Sequence, residues 1–146
     1  MPINVYSREG QAVFLVLYAL RELGGVCAKQ EVLRFIENSE FYDLTHHDLP
    51  PYENQTEPRY HTLLGWARFH AAQMGWLVDP GGRDAWQLSR DGRDVLDRTI
   101  QRYRTGELSV RMCYLWTARF KRQIDPTYQP SPDDRVRPED LAIEFE

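Results

Sequence analysis

Four polar residues in the segment 58–75 have the chemistry of phosphate and base contacts: Arg59, His61, Thr62 and Arg68. Arginine can bridge the two acceptors on the major-groove edge of guanine, and threonine or histidine can bond a phosphate or a base edge. The four residues fall outside the apolar stripe that we predict for the segment. The pattern therefore predicts a helix whose polar face contacts nucleic acid, with a solvated helix face as the alternative.

Three further arginines suit phosphate contact. Arg83 lies in a run of turn formers, where a cation can enter a minor groove or meet a phosphate, or can pair locally with Asp79 or Asp84. Arg90 and Arg93 fall in the first turn of a predicted helix. We expect these three residues to extend the contact beyond the segment 58–75.

No arrangement of residues predicts catalysis, a metal or a cofactor. The adjacent histidines and the aspartate at positions 46–48, even with His61, match a zinc pattern only loosely, because neighbouring side chains point apart and no cysteine is near. Cys27 and Cys113 are far apart, and Cys27 has no recognisable histidine or base partner. No glycine-rich phosphate loop occurs. We therefore expect a non-enzymatic protein without a resident ligand.

The charge is unevenly distributed along the chain. The net charge is −4, but residues 57–104 carry eight arginines against six acids, and residues 105–124 have a net charge of +3. Residues 1–56 and 125–146 have net charges of −4 and −5. Because local patches outweigh the total, the central part of the chain is compatible with a polyanionic partner.

The apolar periodicity predicts four helices and one hairpin. The helices cover residues 7–23, 29–37, 58–75 and the stretch between Ser89 and Gly106. Ser7 and Ser89 are predicted to cap the first and fourth helices, and Gly75 is predicted to end the third. Between the third and fourth helices, residues 76–78 and 85–88 are predicted to pair as the two strands of the hairpin, around a tip of turn-forming residues.

In the third helix, we predict a buried stripe with His70 at its edge, formed by Leu63, Trp66, Ala67, Ala71 and Met74. Trp76 and Trp86 are predicted to meet across the hairpin and pack on this helix. Aromatic side chains at helical or strand spacing are more often core than base-stacking platforms.

Residues 110–120 are apolar at eight of eleven positions, which indicates a segment covered on more than one side. A contact with a second copy or with another protein would provide that cover, and a strand is an alternative to a helix. Residues 125–146 are rich in proline and acids and are predicted to form a flexible tail with a short amphipathic end at residues 141–145. The predicted organisation is a domain at 1–104, an apolar and basic extension at 105–124 and the tail.

The segment 64–93 resembles the N-terminal winged-helix domain of the Mrr-type restriction endonucleases. The residues that carry the resemblance are Gly65-Trp66-Ala67, Gly75 followed by Trp76-Leu77, the run Gly-Arg-Asp-Ala-Trp-Gln-Leu-Ser at 82–89, and Gly92. The resemblance covers about residues 8–104. It implies a winged-helix fold and DNA binding.

The resemblance does not extend to the nuclease. Enzymes of that family carry an Asp and a Glu-x-Lys pair in a separate domain, whereas the two lysines here, Lys29 and Lys121, do not follow Glu-x. Cleavage is therefore not expected.

These observations predict a mainly α fold with a small β-hairpin (a winged helix-turn-helix), a C-terminal helical extension and an acidic tail. The expected partner is double-stranded DNA, with the third helix in the major groove and the wing, residues 76–88, on the backbone or minor groove, in a restriction, defence or regulatory context. The alternative is a protein-interaction winged helix acting as an adaptor. A homodimer through residues 110–120 is also expected. No apolar run approaches the ~20 residues of a membrane span, and no signal peptide is recognisable, so a cytoplasmic location is expected.

Overall fold

The chain is mainly helical and carries one small antiparallel sheet. A computed structural model describes residues 2–43, 50–51, 53–79 and 84–130. In these residues the elements are, in chain order, α1 (Arg8–Glu22), β1 (Val26–Ala28), α2 (Lys29–Ser39), α3 (Arg59–Gln73), β2 (Leu77–Val78), β3 (Ala85–Leu88), α4 (Arg90–Arg104), a 3-10 helix (Val110–Met112) and α5 (Ala118–Ile124). None of the described helices is long and apolar enough to cross a membrane.

Helix α1 lies at the centre of the hydrophobic core. The Ser7 hydroxyl accepts a hydrogen bond from the Gly10 amide at 2.9 Å, which confirms the predicted cap. The helix is followed by Gly24 and Gly25 with φ of 95° and 100°, a left-handed backbone that favours glycine. All residues from 10 to 20 are buried. Since a helix buried all round must be covered from every side, the rest of the chain packs around α1.

The sheet has the strand order β1-β3-β2 and is antiparallel throughout. The predicted hairpin is confirmed: β2 and β3 pair with Val78 opposite Gln87. Strand β1 was missed by the prediction, because three residues after a Gly-Gly pair are too short to show periodicity. It places Cys27 opposite Trp86. The hairpin therefore rests on a third strand instead of standing alone.

The motif residues Gly75, Trp76, Ser89 and Gly92 meet at the base of the hairpin. The Ser89 hydroxyl donates a hydrogen bond to the Gly75 carbonyl at 2.6 Å, and the Ser89 amide donates to the Trp76 carbonyl at 3.0 Å. A Cβ at Gly92 would overlap the Trp76 carbonyl. Trp76 and Trp86 are both buried, as predicted. They are not partners across the hairpin, because the register pairs Leu77 with Leu88 and sets Trp86 opposite Cys27 on β1. These motif residues thus join the end of α3 to the start of α4.

The predicted buried stripe of α3 was confirmed at Ala67 and Ala71 and was wrong at Trp66 and Met74, because the helix is rotated about its axis relative to the prediction. The buried residues are Tyr60, Leu64, Ala67 and Ala71, whereas Trp66 is 57% exposed and Met74 is 40% exposed. Because Leu63 and Leu64 are adjacent, the local pattern fits a helix that turns either leucine towards the core. Tertiary contacts decide between them, because Tyr60 packs on the Tyr42 ring with the centroids 5.5 Å apart and donates its hydroxyl proton to Glu37.

The apolar segment at 110–120 is covered by the chain itself. Trp116 lies with its ring centroid 4.9 Å from that of Phe14 on α1, and Phe120 is also fully buried. The Trp116 indole donates to the Gln11 carbonyl at 3.2 Å. The alternative of a strand was wrong, since a 3-10 helix and α5 form here and Trp116 makes only an isolated bridge to Tyr42. A second copy is therefore not needed to bury these side chains.

The packed region continues into the predicted tail. Tyr128 is buried, which corrects the expectation of a flexible segment at this position. Its ring lies 5.7 Å from the Nζ of Lys121, an amine that is buried beside the Arg111 carbonyl. Residues 131–146, including the amphipathic end at 141–145, lie outside the described residues.

Candidate nucleic-acid interface

The exposed face of α3 is a stripe of four uncharged side chains, Thr62, Trp66, Phe69 and Gln73, called the outward stripe below. They follow the same spacing as the buried residues of the helix but are displaced by two positions. Two residues correspond to about 200° of rotation on an α-helix, so the two sets lie on opposite faces. Trp66 is 57% exposed and Phe69 is 45% exposed.

The two aromatic rings of the outward stripe support each other. Trp66 and Phe69 have their ring centroids 5.8 Å apart in a T-shaped arrangement with an interplanar angle of 88°. Such edge-to-face pairs are favourable beyond their buried area. A Cβ at the neighbouring Gly65 would meet nothing within 4 Å, so the surface beside Trp66 is open. The pair forms a raised, semi-rigid apolar ridge that another molecule can approach.

Helix α3 contains no acidic residue, whereas α1, α2 and α4 each carry at least two. Its charged side chains are Arg59 and Arg68, both partly buried. On the helical wheel Arg59 lies about 20° from Trp66, whereas Arg68 lies about 100° from Phe69 and nearer the buried Leu64. The Arg59 amide donates to the Pro50 carbonyl at 3.2 Å. The outward stripe thus has one arginine beside Trp66 and a second towards the buried side of the helix.

His61, predicted to contact phosphate or a base, is held among carboxylates instead. Its Nε2 lies 3.2 Å from Glu37 and its Nδ1 lies 3.7 Å from Glu57, and its side chain is only 15% exposed. The Tyr60 hydroxyl donates a hydrogen bond to Glu37 and holds the pKa of the Glu37 carboxyl below its usual value. His61 lowers this pKa further. Burial, with Glu37 adding to it, raises the pKa of the Tyr60 phenol. His61 therefore ties the start of α3 to α2.

The predicted arginines outside α3 have different surroundings. Arg90 is exposed at the first residue of α4. Arg93 is exposed too, but its guanidinium lies against Gly25, where a Cβ would overlap it. Arg83 lies outside the described residues. The structure thus leaves Arg90 open for contact and gives Arg93 a packing role between α4 and the end of α1.

An open groove of about 240 Å³ lies beside the C-terminal end of α3. Its lining includes Ile3, Val13, Met74 and Trp76, with the ion pair of Glu9 and His70 joining α1 to α3. This volume is below the roughly 300–1,000 Å³ of typical ligand pockets. The groove is a surface feature next to the outward stripe.

The two thiols lie in environments that favour the protonated form. Burial raises the pKa of Cys113 to about 12, and the Tyr103 hydroxyl lies 3.1 Å from its sulfur. Burial, with the nearby Glu31, also raises the pKa of Cys27. Because the thiolate is the nucleophilic form of cysteine, these surroundings do not activate either thiol.

Among the described residues, no group of three or more metal-ligating side chains lies close enough to hold a metal ion. The histidines and aspartate at 46–48 lie outside those residues. No protein-family model, curated protein or solved structure matches the chain.

The outward positions of Trp66 and Phe69 were not found from the sequence. One signal was present, since Phe69 lay outside the stripe that we predicted to be buried. The absence of acids from α3 was a second signal.

Proposed function

We propose that the chain is a non-catalytic, DNA-binding winged-helix protein, in which α3 enters the major groove and the β2–β3 hairpin lies on the backbone or in the minor groove. The element order α1-β1-α2-α3-β2-β3 and the sheet order β1-β3-β2 support this proposal. In such folds the last helix before the hairpin reads the groove and the hairpin acts as the wing. A restriction, defence or regulatory setting is part of the same proposal.

The single observation that carries the proposal is the character of α3. The helix itself carries no acid, although Glu9, Glu37 and Glu57 of neighbouring segments contact its two histidines. It leaves its outward stripe exposed, and it directly precedes the hairpin. Polyanion binding needs a surface without like charge, and repulsion between an acid and the phosphates is costly. The described C-terminal residues, up to 130, pack on α1 and α4, and Trp66 and Phe69 are exposed.

In this proposal the cations position the helix and the outward stripe meets the base edges. Arg68 and Arg59 contact phosphates on the two sides of the groove, and Arg90 adds a contact from the first turn of α4. Phosphate contacts set register and orientation, whereas side chains in the groove supply selectivity. Arg83 of the wing is a further phosphate or minor-groove contact in this proposal.

The test is fluorescence anisotropy with a labelled mixed-sequence duplex over a range of salt concentrations. We expect affinity to fall steeply with salt, because each neutralised phosphate adds about 0.9 to the slope of log affinity against log salt. Arg68→Ala should weaken binding and reduce that slope by about one. The matched control is Arg119→Ala, an exposed arginine on α5. Absence of binding at low salt would contradict the proposal.

A protein-interaction winged helix is the second candidate, and one observation favours it. Trp66, Phe69, Met74 and Val78 are all between 40% and 57% exposed, and clustered exposed apolar side chains often mark protein contacts. In this case Trp66→Ala would abolish capture of the partner while salt has little effect. A homodimer is tested by sedimentation equilibrium of Met112→Glu, because Met112 is the exposed apolar residue within residues 110–120.

A further inference from the structure

The geometry points to A·T base pairs as the preferred partner of the outward stripe. This inference rests on the proposed function and adds a base preference to it. It follows from the side chains that α3 presents at the middle of its exposed face, not from the flanking arginines.

The first step concerns the hydrogen-bonding group of the stripe. Gln73 is exposed in the last turn of α3. Glutamine forms a bidentate pair with adenine: its side-chain amide donates to N7 and its side-chain carbonyl accepts from N6. The stripe has no arginine or lysine for the O6 and N7 atoms of guanine and no carboxylate for N4 of cytosine. Its polar chemistry therefore matches adenine better than guanine.

The second step concerns the apolar ridge. Thymine is the standard base that places a methyl group in the major groove, and apolar side chains recognise that methyl by contact. Phe69 and Trp66 are held edge to face at 5.8 Å between centroids, so they present a firm apolar surface. A G·C pair lacks this methyl, because cytosine has only a hydrogen at C5, so the apolar ridge would lose that contact. The ridge thus favours thymine.

The third step is the spacing of the groups. Trp66 and Gln73 are separated by seven residues, about 10 Å along the helix axis at 1.5 Å per residue. Successive base pairs are about 3.4 Å apart. A helix lying along the groove would therefore bring Trp66, Phe69 and Gln73 over about three base-pair steps, which is about four adjacent base pairs. The expected core of the binding site is a short A·T run of that length.

The experiment begins with a pool of duplexes that have a random central segment, retained on the full chain at low salt and then sequenced. We expect enrichment of a short A·T-rich core. The thymines of the selected duplex are then replaced by deoxyuridine, which removes only the C5-methyl group. Wild type should lose about fourfold in affinity for each contacted methyl, whereas Phe69→Ala should lose less, because only the methyl contacted by Trp66 remains.

The role of Gln73 is tested separately. Gln73→Ala should reduce the preference for adenine at one position by about tenfold. Gln101→Ala, on an exposed position of α4, is the control and should change nothing. Because Phe69 and Gln73 are exposed, thermal melting of both variants should match that of the wild type.

The outcomes separate the two proposals. If no duplex is retained even at low salt, the proposed function is wrong. If duplexes are retained but the selected core is unbiased or G·C-rich, the base preference is wrong and DNA binding stands. If the wild type binds thymine and deoxyuridine duplexes equally, the contact assigned to the ridge is wrong.

Discussion

The side-chain carbonyl of Gln11 accepts a hydrogen bond from the Leu115 amide at 2.9 Å, across 104 positions of the sequence. The Gln11 amide in turn donates to the Tyr6 carbonyl at 3.2 Å. The side chain is fully buried within α1. A single glutamine therefore connects α1 both to the segment before it and to the C-terminal part of the core.

Replacement of Gln11 should destabilise the protein. Gln11→Leu keeps the approximate volume but leaves the buried Leu115 amide without its acceptor, at a cost of about 1–3 kcal/mol. Urea unfolding followed by circular dichroism measures the change. Gln30→Leu, at an exposed position of α2, is the control and should lie within about 0.5 kcal/mol of the wild type. Equal stability of the two variants would argue against the bond.

Trp116 should be among the most important core residues. Trp116→Ala removes its contacts with Phe14, Tyr103 and Phe120 and the hydrogen bond to Gln11, so we expect a loss of about 3–5 kcal/mol. Chemical denaturation measures the loss. Met112→Ala removes an exposed side chain from the same segment and should have little effect. A small effect of Trp116→Ala would contradict the packing described.

Two glycine substitutions should change the stability of the protein in opposite directions. Gly92→Ala forces a Cβ onto the Trp76 carbonyl and should destabilise by about 1–3 kcal/mol. Gly65→Ala meets nothing within 4 Å and lies within α3, so it should stabilise by about 0.5–1 kcal/mol. Paired thermal melts test both. Stabilisation by Gly92→Ala would show that the base of the hairpin is looser than described.

Alkaline pH should weaken the fold through Cys113. Its pKa is about 12 in the folded state against an ordinary value of 9.0, so its contribution to stability is complete below pH 9.0 and is lost as pH rises toward 12. In that window the unfolded chain releases a proton that the folded chain retains, which lowers the free energy of unfolding by about 1.4 kcal/mol per pH unit. Burial also raises the pKa of Tyr103, which adds a second loss above its ordinary value of 10.0.

The check is the free energy of unfolding of wild type and Cys113→Ala at pH 8 and pH 10. Below the pH at which Tyr103 titrates, the free energy of unfolding of Cys113→Ala should depend less on pH than that of the wild type. Cys27→Ala is the comparison, because its thiol is only partly buried. Identical slopes for wild type and Cys113→Ala would contradict the assignment.

Acid should weaken the junction of α2 and α3 through Glu37. The pKa of its carboxyl is lowered in the folded state, so its contribution is present above the ordinary value of 4.5 and is lost as pH falls through the folded value. Glu37→Gln should lower the melting temperature at pH 7 and have little effect at strongly acidic pH. Glu40→Gln, exposed just beyond α2, is the control. A difference that persists unchanged in acid would contradict the role of the charge.

Helix ends and the hairpin could be predicted from the sequence, because they depend on interactions between residues that are close in the chain. The serine caps at Ser7 and Ser89 and the glycine stop at Gly75 each satisfy helix ends within a few residues, so the sequence alone locates them. The hairpin was found for the same reason. These features rest on interactions between residues close together in the chain.

The rotation of α3 and the environment of His61 could not be predicted in this way. Both depend on Glu37, which lies more than 20 residues earlier and has no marked role in the local pattern. Likewise, the cover for residues 110–120 comes from α1, about a hundred positions away. A stripe of apolar residues shows that one face of a segment is buried, but not which part of the chain covers that face.

The hydrogen bond between Gln11 and Leu115, which are far apart in the sequence, has a consequence for synthesis of the protein. Helix α1 is synthesised about a hundred residues before the side chains that cover Phe14 and Gln11. Until those residues are made, a nascent chain carries an uncovered apolar surface on α1, the kind of surface that holdase chaperones bind. This part of the core can therefore close only after residue 116 has been added.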